Sequence, residues 1–311
     1  MSRKSNRREF LKGGLAATAA AMTVGSGFIL NRDSAWARTY PDVVVSHGRD
    51  PSAITRSAVE ALGGMKRFVK PGNKVVIKPN MSFANGPSAA STTHPEVVAQ
   101  VAKMCVEAGA SRISILDNVL NHPQDCLHLS KIPEACGTIP KTSVNAVNER
   151  RLFRDVNVPQ GKLIKTMGVA SEVLDSDVLI AVPVGKTHSS AGVSFSMKGM
   201  MGLVFDRRPF HSLGLDEAIV DMVTILKPNL VVIDATRILS TGGPGGPGEV
   251  IPLNLVIAST DMVAADAEML ALGTWYGKKF EPKQVKHINL AAERALGRLD
   301  LDKLIIKDIK V

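Results

Sequence analysis

The chain has 311 residues, a formal net charge of +9 and 45% hydrophobic residues, enough for one large buried core or two lobes. Its basic residues form no dense tract and only 4% of the chain is aromatic, which argues against a base-stacking, nucleic-acid-binding surface. Three cysteines, Cys105, Cys126 and Cys136, include no C-x-x-C pair, so the chain alone does not carry a ferredoxin-type cluster.

The first 37 residues differ from the rest. A basic start containing Arg3, Lys4, Arg7, Arg8 and Lys12 leads into a mildly apolar, Ala- and Gly-rich run from Leu15 to Leu30, followed by Ala35-Trp36-Ala37. These are the three regions of a signal peptide, the last an A-x-A cleavage pattern. The stretch Arg7-Arg8-Glu9-Phe10-Leu11-Lys12 resembles a twin-arginine export signal, with Asn6 where Ser or Thr is usual. The apolar run is short for a membrane span, which needs roughly 20 residues. The expectation is export by the twin-arginine translocation machinery, cleavage near Ala37, and a periplasmic or otherwise extracytoplasmic product; retention as an anchor is the alternative. About half of the positive excess lies in this segment, so the remainder, expected to be a single domain over 38–311, is only moderately basic.

Beyond it, β-branched runs alternate with amphipathic segments. In chain order the pattern gives a strand at Val43–Val45, a helix at Pro51–Leu62, a strand at Lys74–Lys78, a helix at Pro95–Ala108 and a strand at Arg112–Leu116. The polar, weakly periodic stretch 118–161 reads as an insertion or part of a small second lobe. A short helix is expected at Val169–Leu174, a buried strand at Val178–Val182 and a helix at Leu215–Leu226. Strands follow at Leu230–Ile233 and Leu253–Ala258, helices at Met262–Leu272 and Gln284–Leu296, and a last strand at Leu304–Ile306. Strands apolar on both faces and separated by helices imply an α/β fold, a mostly parallel sheet covered on both sides.

Such sheets place ligands beyond the carboxyl ends of their strands. There the sequence puts Lys78-Pro79-Asn80, Asp117-Asn118, Asp234, and the loop Pro183–Ser190 with Lys186 and His188. Lys186 and His188, two residues apart, can address one ligand if that loop is extended; Lys supplies charge and His a proton near neutral pH. Lys198, Arg207, Arg208 and His211 form a second basic set, in which Gly199 and Gly202 permit close approach of the backbone. Arg207-Arg208 reads equally well as a solvated pair.

Other motifs are weaker. Gly243, Gly245 and Gly248 fit G-x-G-x-x-G, but the stretch leads to a strand and its prolines lack N–H groups, so neither NAD nor ATP is expected; the loop is free to line or cover the pocket. His122, Cys126 and His128 match no strong zinc spacing and read as ordinary loop residues. Cys126 and Cys136 are either a short-loop disulfide or free thiols. Asp261 reads as a helix cap, with Asp266 as a residue of sharper interest.

From Lys74 to about Tyr276 the chain resembles the family known as domain of unknown function 362. The resemblance rests on Lys78-Pro79-Asn80, Thr92-Thr93-His94-Pro95, Asp117, Asp177 to His188, Lys198 to Gly202, His211, Leu230 to Asp234, Gly243-Pro244 to Gly248, and Asp261 to Asp266. It implies an α/β fold and a site around Lys78, Asn80, Lys186 and His188, without a settled reaction. Many relatives are linked to iron–sulfur modules; the family often has Asn where this chain has Gly199.

Two readings follow. In one, an enzyme acts on a small carboxylate or phosphate: Lys78, Asn80, Lys198, Gly199 and His211 bind it, Lys186 and His188 carry the chemistry, and Asp117 or Asp234 orients the histidine or holds a metal. In the other, the exported protein is a non-catalytic accessory that binds a metal or iron–sulfur centre, or a redox partner.

Overall fold

The computed structural model describes residues 40–311; the export signal expected at the amino terminus lies outside them. Among the described residues twelve strands are formed: β1 (Val43–His47), β2 (Lys74–Pro79), β3 (Arg112–Asp117), β4 (Thr142–Ala146), β5 (Phe153–Asn157), β6 (Thr166–Ala170), β7 (Val178–Val182), β8 (Val184–His188), β9 (Gly192–Ser194), β10 (Leu230–Leu239), β11 (Val250–Ser259) and β12 (Ile306–Lys310). The main sheet has the order β12-β1-β11-β10-β7-β2-β3-β4, with β8 beside the distal part of β10 and β9 paired to β8. All neighbours on the main path are parallel except β11, which runs antiparallel to both β1 and β10.

Alternation along the strands builds two cores. Val76, Leu179, Ala181, Val231 and Ile233 face one side of the sheet; Val75, Ile77, Val178, Ile180 and Val232 face the other. The first core is covered by helices Leu215–Val223, Met262–Leu272 and Lys286–Glu293, the second by Pro51–Ala61 and Pro95–Glu107. Each fully buried aliphatic side chain contributes about 1.5–3 kcal/mol relative to exposure. The helices start where their caps say they should. Asp50 accepts hydrogen bonds from Ser52 N and Ala53 N; Asp261 does the same for Val263 N and Ala264 N.

Several elements differ from the sequence expectation. Val169 and Ala170, expected as the start of a helix, end strand β6, to which β5 offers an antiparallel partner; only Ser171–Leu174 is helical. Within 118–161, helices Pro123–Ser130 and Ile132–Cys136 and strand β4 are built onto the main sheet, while β5 joins β6 in a separate two-stranded sheet. Its polar sequence hides β4, an edge strand that is only partly buried. The last strand begins at Ile306, later than Leu304, where the chain pairs with β1. Pro183–Ser190 is not a loop: β8 occupies Val184–His188 and is fully buried. Cys105, Cys126 and Cys136 are free, buried thiols; burial pushes Cys105 and Cys136 up to about 12.

Candidate functional site

The carboxyl ends of β2, β3 and β7, together with β8, gather charged groups that a hydrophobic core would otherwise reject. Lys78 leaves the end of β2 and meets Asp117 at the end of β3: Nζ lies 3.0 Å from Oδ1, with both side chains about 1% exposed. The other carboxylate oxygen accepts from Met81 N at 2.9 Å and Ser82 Oγ at 2.8 Å. Lys78 also donates to the carbonyl of Pro79. Burial lowers the pKa of Lys78, and Asp117 opposes that effect. A Cβ on Gly202 would collide with both members of the pair, so glycine is what lets the backbone pass over them.

Asn80 ties the sheet together at this end. Its side-chain oxygen accepts from Val184 N at 3.0 Å, and its backbone N donates to Thr93 Oγ1 at 2.8 Å. Thr93 in turn donates to Val182 O. These bonds fix the point at which β7 passes into β8.

Because β8 is extended, Lys186 and His188 share one face while Thr187 points to the other. Thr187 Oγ1 donates to Leu239 O and accepts from Gly243 N. Lys186 Nζ donates to Ser91 O at 2.6 Å and lies 5.3 Å from the centroid of the Phe83 ring. Burial, then proximity to Lys78 and Lys198, lowers its pKa to about 7, against the pull of Asp117. His188 Nδ1 accepts from Ser190 N and Ala191 N, both at 3.2 Å. The neutral imidazole therefore carries its proton on Nε2. Burial, reinforced by Lys198, Lys186 and His211, lowers its pKa to about 3. Around neutral pH this environment favours the neutral imidazole, with Nε2–H as a hydrogen-bond donor.

Lys198 stands on the short helix Ser196–Gly199, whose first N–H groups are held by Asp266: Ser196 N at 2.8 Å and Met197 N at 3.0 Å. Burial, with Arg207 and Lys78 nearby, brings Lys198 down to about 8. Asp266, itself buried, is raised to about 6; it is a support for this helix.

These residues surround a cavity of about 70 Å³, lined by Lys78, Asn80, Asp117, Lys186, His188, Lys198, Gly199 and Arg207 among others. It adjoins a wider groove of about 700 Å³ that shares Leu120, His188, Lys198 and Arg207 and adds Phe205, Asp206, Arg208, His211 and Ser212, with Arg208 paired to Asp206. His211 is exposed there, its ring 6.4 Å from that of His188 and nearly parallel to it. Gly199 has room for a Cβ, its nearest neighbours being 3.7 and 3.9 Å away.

Asp234 is not among the lining residues. Its carboxylate is fully buried and accepts from His94 N, Thr236 N, Thr236 Oγ1 and Arg237. With its lone pairs so engaged, it braces β10 against the start of helix Pro95–Glu107. Asp117 is engaged with Lys78 and not with His188. Phe83, Ser82, Leu120, Ser194 and Met201 line the cavity without having been singled out in the sequence; Pro244 brings the glycine-rich loop to its rim. Among the described residues no group of three or more His, Cys, Asp and Glu side chains is placed to hold a metal ion. His122, just before helix Pro123–Ser130, and Asp125 within it are instead an exposed pair.

Fold and cavity thus define an α/β protein with a cation-lined pocket at the carboxyl edge of a mostly parallel sheet. The model of the domain of unknown function DUF362 matches residues 75–271, and that of the twin-arginine translocation pathway signal sequence matches residues 4–24. The chain belongs to the DUF362 family, and its twin-arginine signal directs it to export. A thylakoid-associated protein of Synechocystis sp. is 30% identical over 237 residues, covering 69% of this chain and 67% of its own length. Among solved structures, the lactate racemase apoprotein of Thermoanaerobacterium thermosaccharolyticum matches with a TM-score of 0.44 and 10% identity, over 73% of this chain and 58% of its own. A structural-genomics protein from Thermotoga maritima matches with a TM-score of 0.46 and 12% identity, over 79% and 60%. No helix among the described residues is long and apolar enough to cross a membrane.

Proposed function

We propose that this protein, after export and signal cleavage near Ala37, acts in the periplasm or another extracytoplasmic space on a small carboxylate or phosphate held in the cation-lined pocket. The observation that carries the reading is the charge balance of the cavity. Lys78, Lys186, Lys198 and Arg207 line it with Asp117 as the one carboxylate among the lining residues, and that carboxylate is paired with Lys78. Bringing three further cations together out of water is costly, and an anion in their midst offsets the cost. Lys198 and Arg207 are the binding cations, His188 Nε2–H is a neutral donor, and Lys78 with Asp117 is a fixed dipole at the floor. Fixed donors and cations in a water-poor cavity favour any step in which negative charge develops on the ligand. The exposed His211 and the groove beside it receive whatever part of the ligand extends beyond the small inner cavity.

The test is a thermal-shift and calorimetric survey of small carboxylates and phosphates. A binding anion raises the unfolding midpoint, by about 2.7 kcal/mol of stabilisation at a concentration 100 times its Kd. Lys198→Gln and Arg207→Gln lose that response. Indifference of the wild-type protein to every anion rules the reading out. The metal-associated alternative has no observation among the described residues in its favour.

A further inference from the structure

The pocket's lysines are not equivalent. Lys78 has a carboxylate partner in Asp117 at 3.0 Å. Lys186 is as deeply enclosed, 3% exposed, but its Nζ has a backbone carbonyl for a partner, Ser91 O at 2.6 Å. It shares the cavity with Lys78, Lys198 and Arg207. An ammonium held out of water, with no carboxylate in direct contact and among like charges, readily gives up its proton. The Asp117 carboxylate, the Ser91 carbonyl and the Phe83 ring offset this only in part. What remains is an enclosed primary amine that faces a cavity with room for a few heavy atoms, beside cations suited to a carboxylate.

We propose that Lys186 is a nucleophilic amine that condenses with the carbonyl carbon of a small 2-oxo carboxylic acid, whose carboxylate rests on Lys198 and Arg207. This rests on the anion-binding reading above and narrows its substrate class. The unprotonated Nζ uses its lone pair to form the C–N bond. The π pair of the carbonyl moves to oxygen, which takes a proton, and nitrogen releases one. The resulting carbinolamine expels its hydroxyl, protonated, as water, while the remaining lone pair on nitrogen forms the C=N bond of an iminium. Amine, carbonyl compound and one proton give iminium and water, so no oxidant or reductant is consumed. The Lys198 ammonium protonates the carbonyl oxygen, its amine takes back the proton that nitrogen releases, and the restored ammonium protonates the departing hydroxyl, so that one proton is consumed. A pKa of about 7 keeps a large fraction of Lys186 in the nucleophilic form near neutral pH. Low exposure also protects the imine from hydrolysis.

Pyruvate or glyoxylate with cyanoborohydride, added to the purified folded protein, reads this out. The expected result is one carboxyethyl or carboxymethyl group per chain, mapped by peptide mass spectrometry to Lys186. Inorganic phosphate competes with the labelling, which increases from about pH 6 to about pH 8 as the amine loses its proton. Lys186→Arg, checked for an intact thermal transition, loses the adduct, while Lys66→Arg on the surface keeps it. Should that variant fail to fold, the site map of the wild type decides alone. Label spread over exposed lysines with Lys186 untouched, while pyruvate or phosphate still raises the unfolding midpoint, overturns the amine and leaves the anion site standing. If no anion raises the midpoint, both fall.

Discussion

Lys78 and Asp117 face each other across adjacent parallel strands, 3.0 Å apart and almost wholly shielded from water. Two neighbouring strands thus end in opposite charges, and the pair fixes the floor of the pocket. Removing either partner leaves an uncompensated buried charge, which costs about 3–5 kcal/mol. Lys78→Met and Asp117→Asn are each expected to destabilise by that order in urea unfolding. The double variant Lys78→Met/Asp117→Asn is expected to lose clearly less than the sum of the two single losses. Additive losses would show that the two do not act as a pair.

Gly202 makes that geometry possible, since a Cβ there would overlap both Lys78 and Asp117. Overpacking of this kind costs about 1–3 kcal/mol, so Gly202→Ala lowers the thermal midpoint and weakens anion binding together. Gly86→Ala serves as the control: nothing lies within 4 Å of a Cβ at that position. A Gly202→Ala protein as stable as the control contradicts the close approach.

Acidity should tighten ligand binding. Lys186 and Lys198 have pKa values of about 7 and about 8, so both gain charge as pH falls from about 8.5 to about 6. Titration calorimetry with a monovalent carboxylate is expected to give a smaller Kd at the lower pH. His188, at about 3, stays neutral over that span. An affinity that rises with pH would reverse the assignment.

The same lysine affects folding with a definite sign. Its pKa falls from 10.5 in the unfolded chain to about 7 in the folded one. Between those values the unfolded chain binds more protons, so Lys186's contribution to stability rises with pH across that window. Lys186→Met is therefore expected to stabilise the ligand-free protein most at about pH 6, with the advantage shrinking towards pH 10. A difference in unfolding free energy that is flat across this range contradicts the depressed pKa.

Export depends on the arginine pair at the amino terminus. Replacing Arg7 and Arg8 together by Lys is expected to leave the precursor inside the cell with its signal attached, as read by fractionation and by the mass of the chain.

Much of this architecture was legible because parallel strands buried on both faces leave continuous apolar runs, as in Val178–Val182 and Leu230–Ile233. The residues just after such strands were the natural candidates, which is how Lys78, Asn80, Asp117, Lys186 and His188 came to attention. What remained hidden depends on long-range partners. Thr142–Ala146 is a polar strand made regular by Ile113 to Asp117 beside it. Phe83 and Leu120 reach the cavity because Leu120 N donates to Ser82 O, a bond between loops far apart in sequence. Asp234 looked equivalent to Asp117, both following apolar strands, yet its carboxylate is claimed by Arg237, His94 and Thr236. Nothing local in the sequence reveals which aspartate finds a lysine and which an arginine.

The extended course of Val184–His188 makes this site a matter of parity. Odd-numbered Thr187 is turned towards Leu239 and the glycine-rich loop, and even-numbered Lys186 and His188 towards the cavity. Deleting or inserting one residue upstream of Lys186 would swap the two sets: a hydroxyl would face the ligand and an amine would be pressed against backbone. Drift in length, more than drift in residue type, is therefore what this segment can least tolerate.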